Sequence, residues 1–310
     1  PRSGRARQRG LAAVVAILIV ALAASASSYL IWQHSLALRQ IENIATRAQA
    51  DAIARAAASL GSVMLRDDPR QSDHLEEMWA LKMPPWRGEE IGGAELAGTL
   101  TDEQSKFNLN NLVRSGKPSD ADIEAFKRLL SSLVLSEQPV DALIDWMDED
   151  GEARPNGAED LYYLGRDPPY RAANRPLADV NELRRVKGFD DEMMKKLEPY
   201  VTALPARAGT KVNLNTASAE VLRAVTNLPA GEVKIIMDAR PIKDPAKDLA
   251  KIPTETWEKV KELLDIKTEY FSAFGTVRIG RVVTGYRVIL ERPPEANRWP
   301  IIISVSNDSP

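Results

Sequence analysis

The chain contains no cysteine. Disulfides, thiolate zinc centres, iron–sulfur clusters and a cysteine nucleophile are therefore excluded together. Histidine is nearly as scarce, with only His34 and His74 among 310 residues. So little imidazole argues against a multi-histidine metal site or a histidine-centred triad. A dominant sign of charge is also lacking. The net charge is −3, so no bulk attraction to nucleic acid or an anionic membrane is expected. No Gly-x-Ser-x-Gly elbow, phosphate-cradling glycine loop or His-Glu-x-x-His sequence occurs. Carboxylates are abundant, but none shows the apolar surroundings that would raise its pKa for acid–base work. Trp79, Trp86, Trp146, Trp257 and Trp299 read as core or interface residues. The expectation is a protein that is not an enzyme. Hydrophobic residues make up 44% and charged residues 27%, enough to build a real core. The length suggests two folded units.

Proline is missing from Leu11 through Arg66, and Gly61 is the only glycine in that interval. Arg2, Arg5, Arg7 and Arg9 precede it without an acid, and Leu11 to Leu22 is wholly apolar. The apolar and small residues continue to Tyr29-Leu30-Ile31-Trp32, and about 22 residues suffice to span a roughly 30 Å hydrocarbon core. The flanking arginines predict a cytoplasmic N-terminus, with everything after Trp32 on the far side. An export signal cut at Ala24-Ser25-Ala26 is a rival reading. Against it, the helical pattern runs on. Ile41, Ala45, Ala48, Ala52, Ala56, Leu60 and Val63 recur at spacings of three and four, with Arg39, Glu42, Arg47, Asp51 and Arg55 off that face. One continuous helix of about 55 residues, roughly 80 Å long, is predicted. Its first half lies in lipid, and its second half packs on something through the alanine-rich face.

After Arg66, Pro, Gly and charges mix as in a loop. Glu95–Leu100 and Phe107–Val113 alternate as half-buried strands do. Short helices are predicted over 119–133, 139–147, 180–186, 190–204, 218–228, 231–239 and 254–264, with Ser119, Thr216 and Thr254 as starting caps. From Lys267 the period becomes two, and three strands are predicted over 268–279, 281–292 and 298–306. The stretches "ADVNELRRVKGFDDEMMKKLEPYVTALP" and "NTASAEVLRAVTNLPAGEVKIIMDARP" echo each other and resemble a doubled helix-hairpin-helix, a unit that binds DNA backbone elsewhere. The hairpins Lys187-Gly188-Phe189-Asp190 and Leu228-Pro229-Ala230-Gly231 each lack one of the two glycines that such phosphate binding needs.

"DWMDEDGEARPNGAED" carries Asp145, Asp148, Glu149, Asp150, Glu152, Glu159 and Asp160 against the single base Arg154. Such density repels itself unless a cation is present, and hard oxygen ligands on a glycine-containing loop suit calcium. An EF-hand is excluded, because aligning Gly151 to its central glycine puts Trp146 and Gly157 at the first and last ligand positions. Asp148, Asp150, Glu159 and Asp160 are the candidate ligands, with Asp145 supporting them. The other reading is a solvated acidic loop with helix-capping carboxylates.

The basic leader ending at Gly10, followed by an uninterrupted apolar helix, resembles the class III signal of the type IV pilin superfamily. That resemblance implies cleavage by prepilin peptidase between Gly10 and Leu11, and methylation of the new terminus. Val15 stands where most members carry glutamate, whose charge is thought to pair with a neighbouring subunit's terminal amine. A subunit without it suits a filament end. The leader, "LTDEQSKFNLNNLV", "LIDWMDEDGEARPNGAED", "PPYRAANRPLADVNELRRVKGFD" and "VNLNTASAEVL" together resemble the GspK family of type II secretion minor pseudopilins (general secretion pathway protein K). The resemblance implies an α+β fold, in which a pilin-like long N-terminal helix packs on a small antiparallel sheet with a large all-α, helix-hairpin-helix-like insertion. On that reading, residues 1–10 are a cytoplasmic leader, 11–32 span the membrane and 33–66 are the periplasmic half of the helix. Residues 67–116 and 266–310 form the β core, and 117–265 the inserted domain. It also implies calcium at the acidic loop and no organic cofactor. The implied location is the Gram-negative inner membrane and then the tip of a periplasmic pseudopilus. Implied partners are other minor pseudopilins, the major pseudopilin, prepilin peptidase and the inner-membrane assembly platform, with the outer-membrane secretin or exoproteins as further contacts and no nucleic acid. The rivals are a membrane-anchored DNA-uptake protein and a secreted calcium-binding protein without its first 26 residues.

Overall fold

The computed structural model describes residues 3–82, 84–89, 93–205, 209–280, 282–295 and 298–306, and side chains from 15 onward except at 54 and 282. Residues 1–2 of the expected leader lie outside the described residues, as does the side chain of Leu11 at the expected cleavage site after Gly10. A single helix, α1, runs over Ser3–Asp67, 65 residues, so the leader's described part continues the predicted helix. Without proline or a β-branched cluster in its second half, nothing interrupts its hydrogen-bond ladder. It stops just before Asp68-Pro69, where the residue preceding a proline is driven out of the helical region.

The last third of α1 lies on a five-stranded antiparallel sheet. The strands are β1 (Trp86–Arg87), β2 (Glu95–Asp102), β3 (Tyr270–Ile279), β4 (Val282–Glu291) and β5 (Ile301–Ser306), in that spatial order. Leu96 faces Val277 and Asp102 faces Phe271 between β2 and β3, while Ile279 faces Val282 across the hairpin to β4. The register slips once between β4 and β5, at Ile289/Leu290. Ala50, Ala58 and Leu65 of α1 are buried against Trp79, Phe271, Val277, Val288 and Leu290, with Trp79 edge-on to Phe271 at 5.1 Å. Fully burying one such large side chain is worth about 1.5–3 kcal/mol. Gly275 is required here, because a Cβ on it would stand 2.3 Å from Tyr286 Oη on the facing strand.

Between β2 and β3 the chain builds a helical domain with its own core, from Phe107 to Leu264. It contains α2 (Asp120–Ser132), α3 (Pro139–Met147), α4 (Asp160–Leu164), α5 (Asp191–Leu197), α6 (Ala219–Thr226), α7 (Ala230–Asp238), α8 (Pro245–Asp248) and α9 (Thr254–Val260). Two short parallel ladders brace it, Phe107–Asn108 with Val201–Thr202 and Val212–Asn213 with Leu264–Asp265.

Several local expectations are corrected. Phe107–Val113 is not one strand: after Asn108 it turns into a 3-10 segment, Leu109–Leu112. The alternating asparagines face inward, not toward solvent. Asn108 Oδ1 accepts from Leu204 N at 3.0 Å, and Asn110 Oδ1 from Leu177 N at 2.8 Å. Phe107, Leu109 and Leu112 of this segment belong to the core of the helical domain. Helix α5 ends at Leu197 instead of continuing to 204, because Pro199 cannot extend it. Thr254 is the first residue of α9 and not its cap. Thr216 caps nothing. Ser218 accepts from Val221 N at 3.3 Å to start α6, while Asp190 caps α5 through Met193 N at 2.8 Å. Ser119 Oγ donates to Asp122 at 2.5 Å.

Candidate metal centre and partner-binding helix face

Helix α3 delivers the acidic loop. Asp145 lies in its last turn, fully buried, and Asp148 follows its end at 3% exposure. The loop returns through Gly157 to Glu159, the residue before α4. Carboxylate oxygens of Asp148, Asp150 and Glu159 come within 4.8 Å of one another. Burial, with the neighbouring carboxylates adding to it, pushes Asp148 up to about 6 and Glu159 up to about 7. Burial also raises Asp145. Asp145 Oδ2 accepts from Arg154 N at 3.1 Å and Ala158 N at 2.8 Å, which folds the loop back over the helix end. Asp145 Oδ1, Asp148 Oδ1 and Glu159 Oε1 are buried without a hydrogen-bond donor. Acceptor oxygens gathered with no donor cost free energy unless a cation meets them. An all-carboxylate set of this kind fits a hard cation such as calcium.

Of the five sequence candidates, Asp148, Asp150 and Glu159 are brought together, and Asp145 stands behind them as a loop brace. Asp160 is drawn elsewhere: its Oδ1 accepts from Ala172 N at 3.0 Å and its Oδ2 lies 3.5 Å from Arg171. Two supporting residues escaped the sequence reading. Gly157 passes so close to Asp145 that a Cβ there would lie 1.8 Å from Oδ2. Its only sequence signal is a Pro-Asn-Gly turn. Lys187 Nζ donates to Gly157 O at 2.9 Å and Asn156 O at 3.3 Å, from a hairpin with no local mark of that role. Gly188, in that hairpin, has φ +91° and lies against Pro139 at the start of α3. A second acidic group, Asp68, Asp73 and Glu77, also has oxygens within 4.8 Å, but there Arg292 supplies the positive charge.

The helix face forms the other candidate. At about 100° per residue, Ala50, Ala57 and Gly61 form the stripe on the sheet. Ile41, Ala45, Ala48, Ala52 and Ala56 lie on the roughly opposite side and are exposed. Leu60, 49% exposed, lies at the border of this face and lines a cavity of about 170 Å³ with Ala57, Met64, Trp79 and Leu100. From Val15 onward α1 is long and apolar enough to cross a membrane, with an 18-residue window of mean hydropathy 2.1 and none of it buried.

Comparison with known proteins bears on this arrangement. The family described as "Type II secretion system (T2SS), protein K" matches residues 105–206. A Pseudomonas aeruginosa type II secretion system protein K is 36% identical over 295 residues, covering 89% of this chain and 86% of the relative. A Klebsiella pneumoniae protein of the same name is 33% identical over 242 residues, covering 74% and 73%. A chain in the crystal structure of the GspK-GspI-GspJ complex from the enterotoxigenic Escherichia coli type 2 secretion system superposes with a TM-score of 0.72 at 25% identity. That likeness covers 87% of this chain and 100% of the other, so the fold is pilin-like with a helical insertion. With relatives this similar over this much of their length, the chain belongs to the type II secretion system protein K family.

Proposed function

We propose that this chain is a minor pseudopilin at the tip of a type II secretion pseudopilus, joining other minor pseudopilins and priming the filament. It has a structural and not a catalytic role. The observation that carries this reading is α1 itself: one side of its sheet-bound third is buried, while Ile41, Ala45, Ala48, Ala52 and Ala56 are exposed. Small residues along a helix allow a second helix to approach closely, so a partner's N-terminal helix is the natural occupant. Val15, in place of glutamate, leaves the membrane segment without an acid to pair within the bilayer, which suits a subunit lacking one neighbour. A broad head beyond the sheet would collide with itself if repeated along a tight filament, and fits a single copy at the end. The first half of α1 would then cross the inner membrane, with the arginine-rich end cytoplasmic and the head periplasmic.

We further propose that Asp148, Asp150 and Glu159, with Asp145 behind them, hold a calcium ion. The ion would neutralise the loop's repulsion and meet oxygens that have no donor.

The test is intact mass and N-terminal sequence after expression with and without prepilin peptidase. A chain beginning at Leu11 only with the peptidase supports the filament reading. A start near Ser27, or an uncut chain in both cases, overturns it.

A further inference from the structure

The chain passes from the sheet into the helical domain through Asp102–Lys106 and returns through Asp265–Glu269. Neither crossing contains glycine. Asp102, Glu103 and Gln104 of the first crossing and Thr268 of the return are buried among polar side chains drawn from the two domains. At the end of β2, Asp102 Oδ1 accepts from Gln104 N at 2.7 Å. Its Oδ2 accepts from Asn213 Nδ2 at 2.8 Å, Thr216 Oγ1 at 2.5 Å and Thr268 Oγ1 at 2.7 Å. Asn213 and Thr216 belong to the helical domain, and Thr268 to the return crossing. Asn213 Nδ2 also reaches Asp73 O at 3.1 Å, in the segment that follows α1.

Asp73 continues the chain of contacts. It accepts from Thr268 N at 2.7 Å and from Arg292 Nη2 at 2.5 Å, while Arg292 Nη1 donates to Asp68 at 2.9 Å. Arg292 Nη2 donates as well to Thr268 O at 2.8 Å. The end of α1, the end of β4 and the return crossing thus meet at one buried guanidinium, 3% exposed. Beside it, Glu103 accepts from Thr202 Oγ1 of the helical domain at 2.6 Å and from Arg287 Nη2 of β4 at 3.0 Å. Gln104 bridges the crossings, accepting from Glu269 N at 2.6 Å and donating to Lys211 O at 3.0 Å.

We infer that this junction is an orientation lock: the helical domain is mounted on the helix-and-sheet stem as one rigid body, without a hinge. A hinge needs a few residues free to change φ and ψ, with little buried against them. Here a tilt of a few ångströms would open several charge-assisted hydrogen bonds at once in a low-dielectric interior, where a half-satisfied network is costly. The second acidic group belongs to this lock, since Arg292 holds Asp68 and Asp73 in place. The consequence is mechanical. Whatever tilt or rotation neighbours impose on α1 is carried undamped to the head. This inference depends on the contacts alone and stands whether or not the chain is processed as a pilin.

Absence of cysteine makes the test clean. Spin labels at Arg47→Cys on α1 and Glu255→Cys on α9 report the stem-to-head distance in the full-length chain in detergent, by pulsed electron resonance. A single narrow distance is expected. It should broaden at least twofold in Asn213→Ala, while label pairs placed within the stem and within the head keep theirs. Where Asn213→Ala also disturbs the within-head pair, Thr216→Val, which removes one strap, takes its place with the same expected broadening. A broad stem-to-head distribution in the unmodified background overturns the lock. So does one that stays narrow in both variants.

Discussion

Replacing Gly157 with alanine tests the acidic loop where its geometry is tightest. The added methyl would lie 1.8 Å from Asp145 Oδ2, so carboxylate and loop cannot both keep their positions. That oxygen accepts the Arg154 and Ala158 backbone N–H groups. A hydrogen bond to a charged group contributes about 1.5–3 kcal/mol, so losing both costs about 3–6 kcal/mol. For a domain of this size, 1 kcal/mol moves the melting temperature by roughly 2–4 °C, so even the lower figure corresponds to roughly 6–12 °C. Urea unfolding followed by far-UV circular dichroism, with a thermal scan beside it, measures the loss. Gly151→Ala is the control in the same loop, because a Cβ there meets nothing within 4 Å. A Gly157→Ala protein within 1 kcal/mol of the parent, or no worse than Gly151→Ala, would refute the proposed bracing.

Calcium should raise the melting temperature, and the rise should vanish in Asp148→Asn and Glu159→Gln but survive in Asp160→Asn, whose carboxylate is engaged at Ala172 and Arg171; differential scanning calorimetry with calcium and with chelator reads this. Burial alone would raise the Glu103 carboxyl, yet Lys106 and Arg287 outweigh it and hold it at about 2. A depressed carboxylate contributes stability that is complete above its unfolded value near 4.5 and fades as pH falls toward 2; the depression corresponds to about 3 kcal/mol, and Glu103→Gln should flatten that acid limb in urea midpoints taken across the window. Ala52→Arg should reduce co-purification of partner minor pseudopilins at least tenfold while leaving the melting temperature within 2 °C of the parent, roughly the shift of 0.5–1 kcal/mol, because Ala52 is exposed. Ala50→Leu, at a fully buried position two residues away, should destabilise by about 1–3 kcal/mol through overpacking, as measured by urea unfolding.

Local chemistry explains what could be read without coordinates. A proline-free stretch rich in alanine and leucine has one regular option, and α1 takes it from Ser3 to Asp67. Alternation after Lys267 marks strands because successive side chains there meet core and solvent in turn. The same rule misled at Asn108, Asn110 and Asn111. Polar residues that look solvent-facing were buried, since each found a backbone partner from 67 to 99 residues away. The acidic loop was legible for its density of charge within one turn of chain. Asp160 could not be sorted from its neighbours, because its diversion depends on Ala172 coming alongside.

Sequence alone determined the long helix, the three C-terminal strands, the helical block between β2 and β3, and the presence of a densely acidic loop. Each follows from interactions between residues close in the chain. Tertiary structure decided which side of α1 meets the sheet. Alanines occupy both sides, so periodicity could not separate Ala50 and Ala57 from Ala48 and Ala52. It also decided the buried junction, where Asp73, Asp102, Asn213, Thr268 and Arg292 converge from distant parts of the chain. A lone polar residue in a sequence carries no sign of the partner that will make its burial affordable. Only the folded chain supplies that partner.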